Sequence, residues 1–139
     1  MNTVTPPPDL VDYSLDQLST FHRIGSYILG VFSLCGLPHT FMGLFFLASP
    51  RTFGNSQNGP PPAFFGGMMF LIGLGVVGSF MGLAIANHAA SAWVRERRRY
   101  TGIQVVSAFT CLYMPLGTVL GVYSLVILSK PEVRVRFTS

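Results

Sequence analysis

The chain has 139 residues, of which 50% are hydrophobic and only 10% are charged, and its mean hydropathy is +0.50. Soluble domains carry roughly 25% charged residues, so this composition excludes an ordinary water-soluble globule. The formal net charge of +4 comes largely from one short arginine-rich segment between apolar stretches, which excludes a basic nucleic-acid-binding face spread over a domain.

Three stretches lack any charged residue, namely 24–50, 52–94 and 100–129. Each is longer than the ~18 apolar residues that indicate a transmembrane helix. We therefore predict an all-α integral membrane protein, a helical bundle whose transmembrane domain covers residues 17–130.

The first predicted elements are a polar N-terminal tail, residues 1–16, and a span at about 20–49. The tail contains three consecutive prolines, Pro6 to Pro8, and Ser14 is a candidate N-cap with Gln17 three residues later. Pro38 falls in mid-span and lacks a backbone donor, so we expect a kink there.

A Pro- and Gly-rich linker, residues 50–62, leads to the second predicted span at 63–94. Small residues recur every four positions along this span and would form a smooth ridge that a neighbouring helix could approach closely. The alternative is that membrane helices are simply rich in glycine. The predicted helix-packing residues of this span are Gly75, Gly78, Ser79, Gly82, Ala86 and Ala90.

The segment 95–99 is a cluster of four arginines and one glutamate, flanked by Trp93 and Tyr100. Aromatic residues favour the membrane interface, and a short basic loop favours the cytoplasmic side. We place this loop and the N-terminus in the cytoplasm and expect the arginines to set the topology and contact anionic lipid headgroups. The arginines concerned are Arg95, Arg97, Arg98 and Arg99.

The last apolar stretch has two interpretations. Two short spans, 100–114 and 117–129, joined at 115–118 would give four spans and return the basic C-terminal tail, 131–139, to the cytoplasm. One long helix kinked at Pro115 would give three spans and leave that tail outside, against the positive-inside rule. We favour the hairpin, in which Gly117 and Gly121 form a GxxxG packing motif.

Several blocks of the sequence resemble a family of small bacterial membrane proteins. These blocks are FHRIG near the start, PPAFFGG at the second span, RRRYT after it, and MPLGTVLGVYSLVILSKPEVRVRF at the end. The family shares an arginine-rich loop, a P-[LI]-G-T-x-L-G-[IV]-[YF] core and a closing S-x-P-x-V-[KR]-x-x-F. The resemblance implies a bacterial origin and an inner-membrane location, and it brings no assigned activity.

The sequence offers no constellation typical of an enzyme or a metal site. No Asp or Glu lies in a predicted span, and neither CxxC nor HxxxH occurs, so we predict no catalytic residues and no metal ligands. His22 and His88 are candidate ligands, because at similar depth they would hold a haem or chlorin axially. The alternative is hydrogen bonding of each imidazole to headgroups or to neighbouring side chains such as Asn87.

We therefore predict a non-catalytic structural or accessory subunit of a larger membrane complex. Its partners would be membrane lipid and other transmembrane subunits, or further copies of itself, with no nucleic acid. The haem- or chlorin-binding protein is the first alternative and a small channel or carrier the second. The candidate polar residues for a channel lumen are Ser33, Thr40, Ser79, Asn87, Gln104, Ser107, Thr110 and Thr118.

Overall fold

A computed structural model describes residues 8–48, 62–113 and 115–137. Within these residues the chain is helical and contains no strand. A short 3₁₀ helix, Leu34–Gly36, separates the first two α-helices. The α-helices are α1 (Pro8–Ser33), α2 (Leu37–Ala48), α3 (Pro62–Arg95), α4 (Tyr100–Thr110), α5 (Leu116–Leu128) and α6 (Pro131–Arg134).

Two helical stretches are long and apolar enough to cross a membrane, Leu10–Ala48 and Ala63–Arg95. In the most apolar 18-residue window of each, only 17% of the residues are buried inside the protein. Large apolar side chains therefore face outward, as Val31, Phe41 and Leu71 do at 65–67% exposure. The core helix of a soluble protein would show the opposite pattern.

Helix α1 begins at Pro8, well before the predicted boundary at Gln17. Val11 and Leu15 are buried in a hydrophobic core, so apolar contacts extend the helix into part of the segment assigned to the tail. Ser14 is not an N-cap; it lies inside α1, and its hydroxyl donates to the Leu10 carbonyl at 2.9 Å. Residues 1–7 of the predicted tail lie outside the described residues.

Pro38 accounts for the change of helix type between α1 and α2. Proline has no N–H, so it cannot donate to the carbonyl of Leu34, which is four residues earlier. The Leu37 N–H donates to that carbonyl instead, closing a 3₁₀ turn. Pro38 then occupies the second position of α2, where its missing donor is tolerated.

The chain divides into two compact units. The first contains the described parts of Met1–Ile28 and Leu83–Ser139, and the second is Leu29–Gly82. The core of the first unit is built from apolar residues of α1, α3, α4, α5 and α6. Its buried members are Val11, Leu15, Leu18, Ala90, Val94, Ile103, Val106, Ile127, Leu128 and Val133.

In the second unit, helices approach one another through glycines. A Cβ added to Gly36 would lie 2.8 Å from the Gly73 carbonyl oxygen, and one added to Gly66 would lie 3.0 Å from the Gly43 carbonyl oxygen. Both pairs join the first helical stretch to α3. Because any side chain would meet backbone at these four positions, glycine permits the helix contact.

Helices α4 and α5 form an antiparallel hairpin in the first unit. Gly117 packs against the Thr110 carbonyl, and an added Cβ at Gly121 would lie 2.5 Å from the Ser107 carbonyl oxygen. The Thr118 hydroxyl donates to the Cys111 carbonyl at 2.8 Å. The two helices are separate, as the hairpin interpretation predicts. Their bounds differ from the predicted 100–114 and 117–129, since α4 ends at Thr110 and α5 begins at Leu116.

Candidate functional site: a buried polar network around His22

His22 is a fully buried polar residue in a chain that is otherwise strongly apolar. Three further helices of the first unit surround it with polar side chains: Asn87 from α3, Thr110 from α4 and Ser124 from α5. All four side chains have 0% exposure. Buried polar groups cost free energy unless they are hydrogen-bonded, so their convergence makes this network the candidate functional site.

The hydrogen bonds fix the orientation of the asparagine and one ring nitrogen of the histidine. Asn87 Nδ2 donates to the Leu83 carbonyl and to Thr110 Oγ1, both at 3.0 Å. Its Oδ1, which has no proton, faces His22 Nδ1 at 2.8 Å. His22 Nδ1 must therefore carry a hydrogen and donate it.

Ser124 lies on the other side of the imidazole. Its Oγ is 3.1 Å from His22 Nε2 and 2.7 Å from the Leu120 carbonyl. A hydroxyl has one proton, so with a neutral imidazole Ser124 donates either to Nε2 or to Leu120. With an imidazolium, Nε2 donates to Ser124, which donates to Leu120. Rotation of one hydroxyl thus accommodates both protonation states.

Hydrogen bonds between polar side chains also join the helices nearer the end of the first unit that carries the 95–99 loop. Ser19 Oγ on α1 lies 3.2 Å from both the hydroxyl and the carbonyl of Ser91 on α3. The Tyr123 hydroxyl donates to Gln17 Oε1 at 3.2 Å. Among the described residues, no buried side-chain nitrogen or oxygen lacks a partner. The network therefore ties four helices together at low energetic cost.

Ser124, His22 and Asn87 have the connectivity of a nucleophile, a base and a group that orients the base. The sequence indicated Asn87 as a possible partner of an imidazole, but spacing did not indicate Ser124, which is 102 positions from His22. All three side chains are fully buried and link α5, α1 and α3. In this conformation the arrangement acts as a structural tie.

The two candidate cofactor ligands are not brought together as a pair. His22 has hydrogen-bond partners at both ring nitrogens, whereas His88 is exposed. Asn87 is the α3 residue that faces His22, and consecutive residues of a helix point about 100° apart. Within the described residues, no group of three or more His, Cys, Asp or Glu side chains is placed to hold a metal ion.

The small residues predicted to pack on α3 divide into two sets. Gly75, Gly78 and Gly82 are exposed, and a Cβ added to any of them would meet no described atom within 4 Å. Ser79 is also exposed. Ala86 and Ala90, by contrast, contact or belong to the core of the first unit.

The glycines at the helix contact of the second unit were not predicted as a packing set. Gly36 and Gly43 are seven residues apart, as are Gly66 and Gly73. Seven residues are about two helical turns and return to the same face. Matching intervals of seven in two apolar helices are the signal that could have predicted this contact, whereas the predicted packing set is based on intervals of four.

The predicted arginines lie at the charged end of the first unit, and they do not all have the same role. Arg97 forms an ion pair with Asp12 of α1 at 2.9 Å, and Arg98 pairs with its neighbour Glu96. The Arg99 guanidinium lies over the Trp93 ring, 5.2 Å from its centroid. Arg97 and Arg99 both have φ of 53°, which lets the chain reverse direction between α3 and α4.

Most candidate lumen residues donate to a backbone carbonyl three or four residues earlier in the same helical stretch. Thr40 donates to Gly36, Ser79 to Val76 and Ser107 to Ile103. Ser33 and Thr110 do the same within α1 and α4. Because these hydroxyl protons are used within the chain, the hydroxyls offer only acceptor lone pairs to other groups.

Comparison with protein-family models, with curated proteins and with solved structures gives no match.

Proposed function

We propose that the chain is an integral membrane protein acting as a non-catalytic accessory subunit that packs against transmembrane helices of a larger complex. The observation that carries the proposal is the exposed small-residue face of α3, formed by Gly75, Gly78, Ser79 and Gly82. Apolar side chains elsewhere on the long helices are also exposed, and such surfaces on soluble monomers are rare.

This glycine face differs from the glycines that pack within the chain. A neighbouring helix backbone lies against each glycine of the second-unit contact, namely Gly36, Gly43, Gly66 and Gly73. A Cβ added at Gly78, by contrast, would have open space around it. Glycine inside a helix costs about 0.5–1 kcal/mol relative to alanine. Close approach of a helix from another subunit would offset that cost.

We further propose an inner-membrane location in a bacterium, with the N-terminus and the 95–99 loop in the cytoplasm. Asp12 lies 2.9 Å from Arg97 and 3.7 Å from Arg136, so α1, the loop and the C-terminal segment meet at one end of the first unit. This contact agrees with a topology in which the 95–99 loop and the C-terminus lie on the same side of the membrane.

The hairpin would enter and leave from the cytoplasmic side. Helices α4 and α5 have 11 and 13 residues, or about 16 and 20 Å, against a hydrocarbon core of about 30 Å. Leu112 and Leu116 near its tip are 74% and 58% exposed. An exposed apolar tip is stable in hydrocarbon, so we propose four membrane-embedded segments, of which two cross fully.

Affinity purification from native membranes in mild detergent tests the accessory role. We expect a stoichiometric partner, either a different subunit or further copies of this chain, that is lost in the Gly78→Leu/Gly82→Leu variant. Gly30→Leu is the matched control, because Gly30 is an open glycine on α1. A wild-type monomer without a partner, or equal retention in all three proteins, would contradict the proposal.

A further inference from the structure

The two basic tracts of the sequence lie side by side in the structure, although thirty residues separate them. Tyr100 connects them: its hydroxyl donates to the Leu128 carbonyl, its ring packs against Phe137, and the Arg134 guanidinium lies 5.9 Å from its ring centroid. Asp12 provides the second link, through Arg97 and Arg136. The C-terminal tract therefore belongs to the same surface as the 95–99 loop.

The basic residues of this surface form an inner and an outer set. Arg97 and Arg136 are partly buried and share Asp12, whose single negative charge offsets one of their two positive charges. The outer residues are exposed and are held at the rim of the unit by α3, the loop, α5 and α6. We call this outer set the basic rim: Arg95, Arg98, Arg99, Lys130 and Arg134.

Two arginines of the basic rim are oriented by aromatic rings. Arg99 lies over Trp93, and Arg134 lies over Tyr100. A guanidinium stacked on a ring loses little further freedom when its N–H groups bind a phosphate, and its planar fork matches two phosphate oxygens. The rim thus combines excess positive charge with partly ordered phosphate donors.

We propose that the basic rim binds the phosphate headgroups of anionic phospholipids, using residues from both basic tracts. The ligand is a lipid and not a soluble phosphate, because α4 and α5, which adjoin the two basic tracts in the chain, expose Val105 and Val126. Those side chains place the rim at the boundary of an apolar phase, where Trp and Tyr are also favoured. This inference does not depend on the accessory-subunit role.

Trp93 is the single tryptophan of the chain and lies under Arg99, so its fluorescence reports directly on the rim. The full-length protein in dodecylmaltoside micelles is titrated with phosphatidylglycerol, with zwitterionic phosphatidylcholine, or with soluble glycerol phosphate. Phosphorus analysis after exchange into lipid-free detergent gives a second readout, the number of lipids retained. We expect a saturable change and retained lipid with phosphatidylglycerol only.

The Arg99→Gln/Arg134→Gln variant should raise the half-saturating fraction of phosphatidylglycerol on the order of tenfold and lose retained lipid. Arg51→Gln removes one positive charge from the 50–62 linker, outside the basic rim, and should titrate like the wild type. Equal responses to the two lipids, a response to glycerol phosphate, or an unaltered double variant would each overturn the proposal. Circular dichroism of the variants verifies that their helices are intact.

Discussion

His22 on α1 and Asn87 on α3 are 65 positions apart in the chain, yet Nδ1 of the first lies 2.8 Å from Oδ1 of the second. The same imidazole reaches Ser124 on α5 through Nε2. One buried side chain therefore connects three helices, and Asn87 extends the connection to Thr110 on α4. Each imidazole nitrogen has one partner and is fully buried, so losing Asn87 or Ser124 would leave that nitrogen unsatisfied in an apolar interior.

We predict that His22→Phe destabilises the protein by about 1–3 kcal/mol. The substitution removes the closest donor to Asn87 Oδ1, at 2.8 Å, and leaves only the longer contact from Thr110 Oγ1 at 3.4 Å. A phenyl ring keeps much of the volume, so the cost reports mainly on the lost hydrogen bonds. The free energy of unfolding is measured by titrating dodecylmaltoside micelles with sodium dodecyl sulfate. The exposed His88→Phe serves as the control and should stay near the wild-type value; equal losses in both variants would refute the role of the network.

Alanine substitutions two residues apart on α3 should have different effects on the free energy of unfolding. Gly73→Ala places a Cβ 2.8 Å from the Gly36 carbonyl oxygen, and we expect it to destabilise by about 1–3 kcal/mol. Gly75→Ala has open space and should be neutral, or stabilising by up to about 1 kcal/mol, because alanine favours the helix. The same unfolding titration on monomeric protein measures both, and similar values would contradict the described helix contact.

Reporter fusions test the proposed topology. A reporter inserted after Arg98 and one placed after the C-terminus should both show cytoplasmic activity, since Arg136 and Arg97 share Asp12 as a partner. A reporter in the 50–62 linker should be periplasmic. A C-terminal reporter on the opposite side from the loop would instead support the three-span interpretation.

The depth of the hairpin is tested by thiol labelling. In a protein with Cys35→Ala and Cys111→Ala, Leu116→Cys should resist a membrane-impermeant maleimide from either side, because two short helices cannot carry the tip across the bilayer. Asn58→Cys in the linker should react from outside. Labelling of Leu116→Cys from outside would show that α4 and α5 cross the membrane completely.

The sequence predicted much of the secondary structure, because that depends on local properties. Long uncharged stretches predicted the helical class and the two long apolar helices. Pro38 predicted the irregularity at Leu34–Gly36, and the Pro115 region predicted the separation of α4 from α5. The beginning of α1 was predicted too late, since the polar residues before Gln17 concealed the apolar interval formed by Val11, Leu15 and Leu18.

The sequence by itself determined that the chain is helical, which two stretches are long and apolar, and where the basic charge collects. Only the tertiary structure decided which face of each helix meets a neighbour: Asn87 and not His88 turns toward His22, and Gly73 and not Gly75 lies at a helix contact. Helical periodicity gives the angle between side chains on one helix, but not the rotation of that helix toward another. That rotation is set by packing among residues distant in the chain.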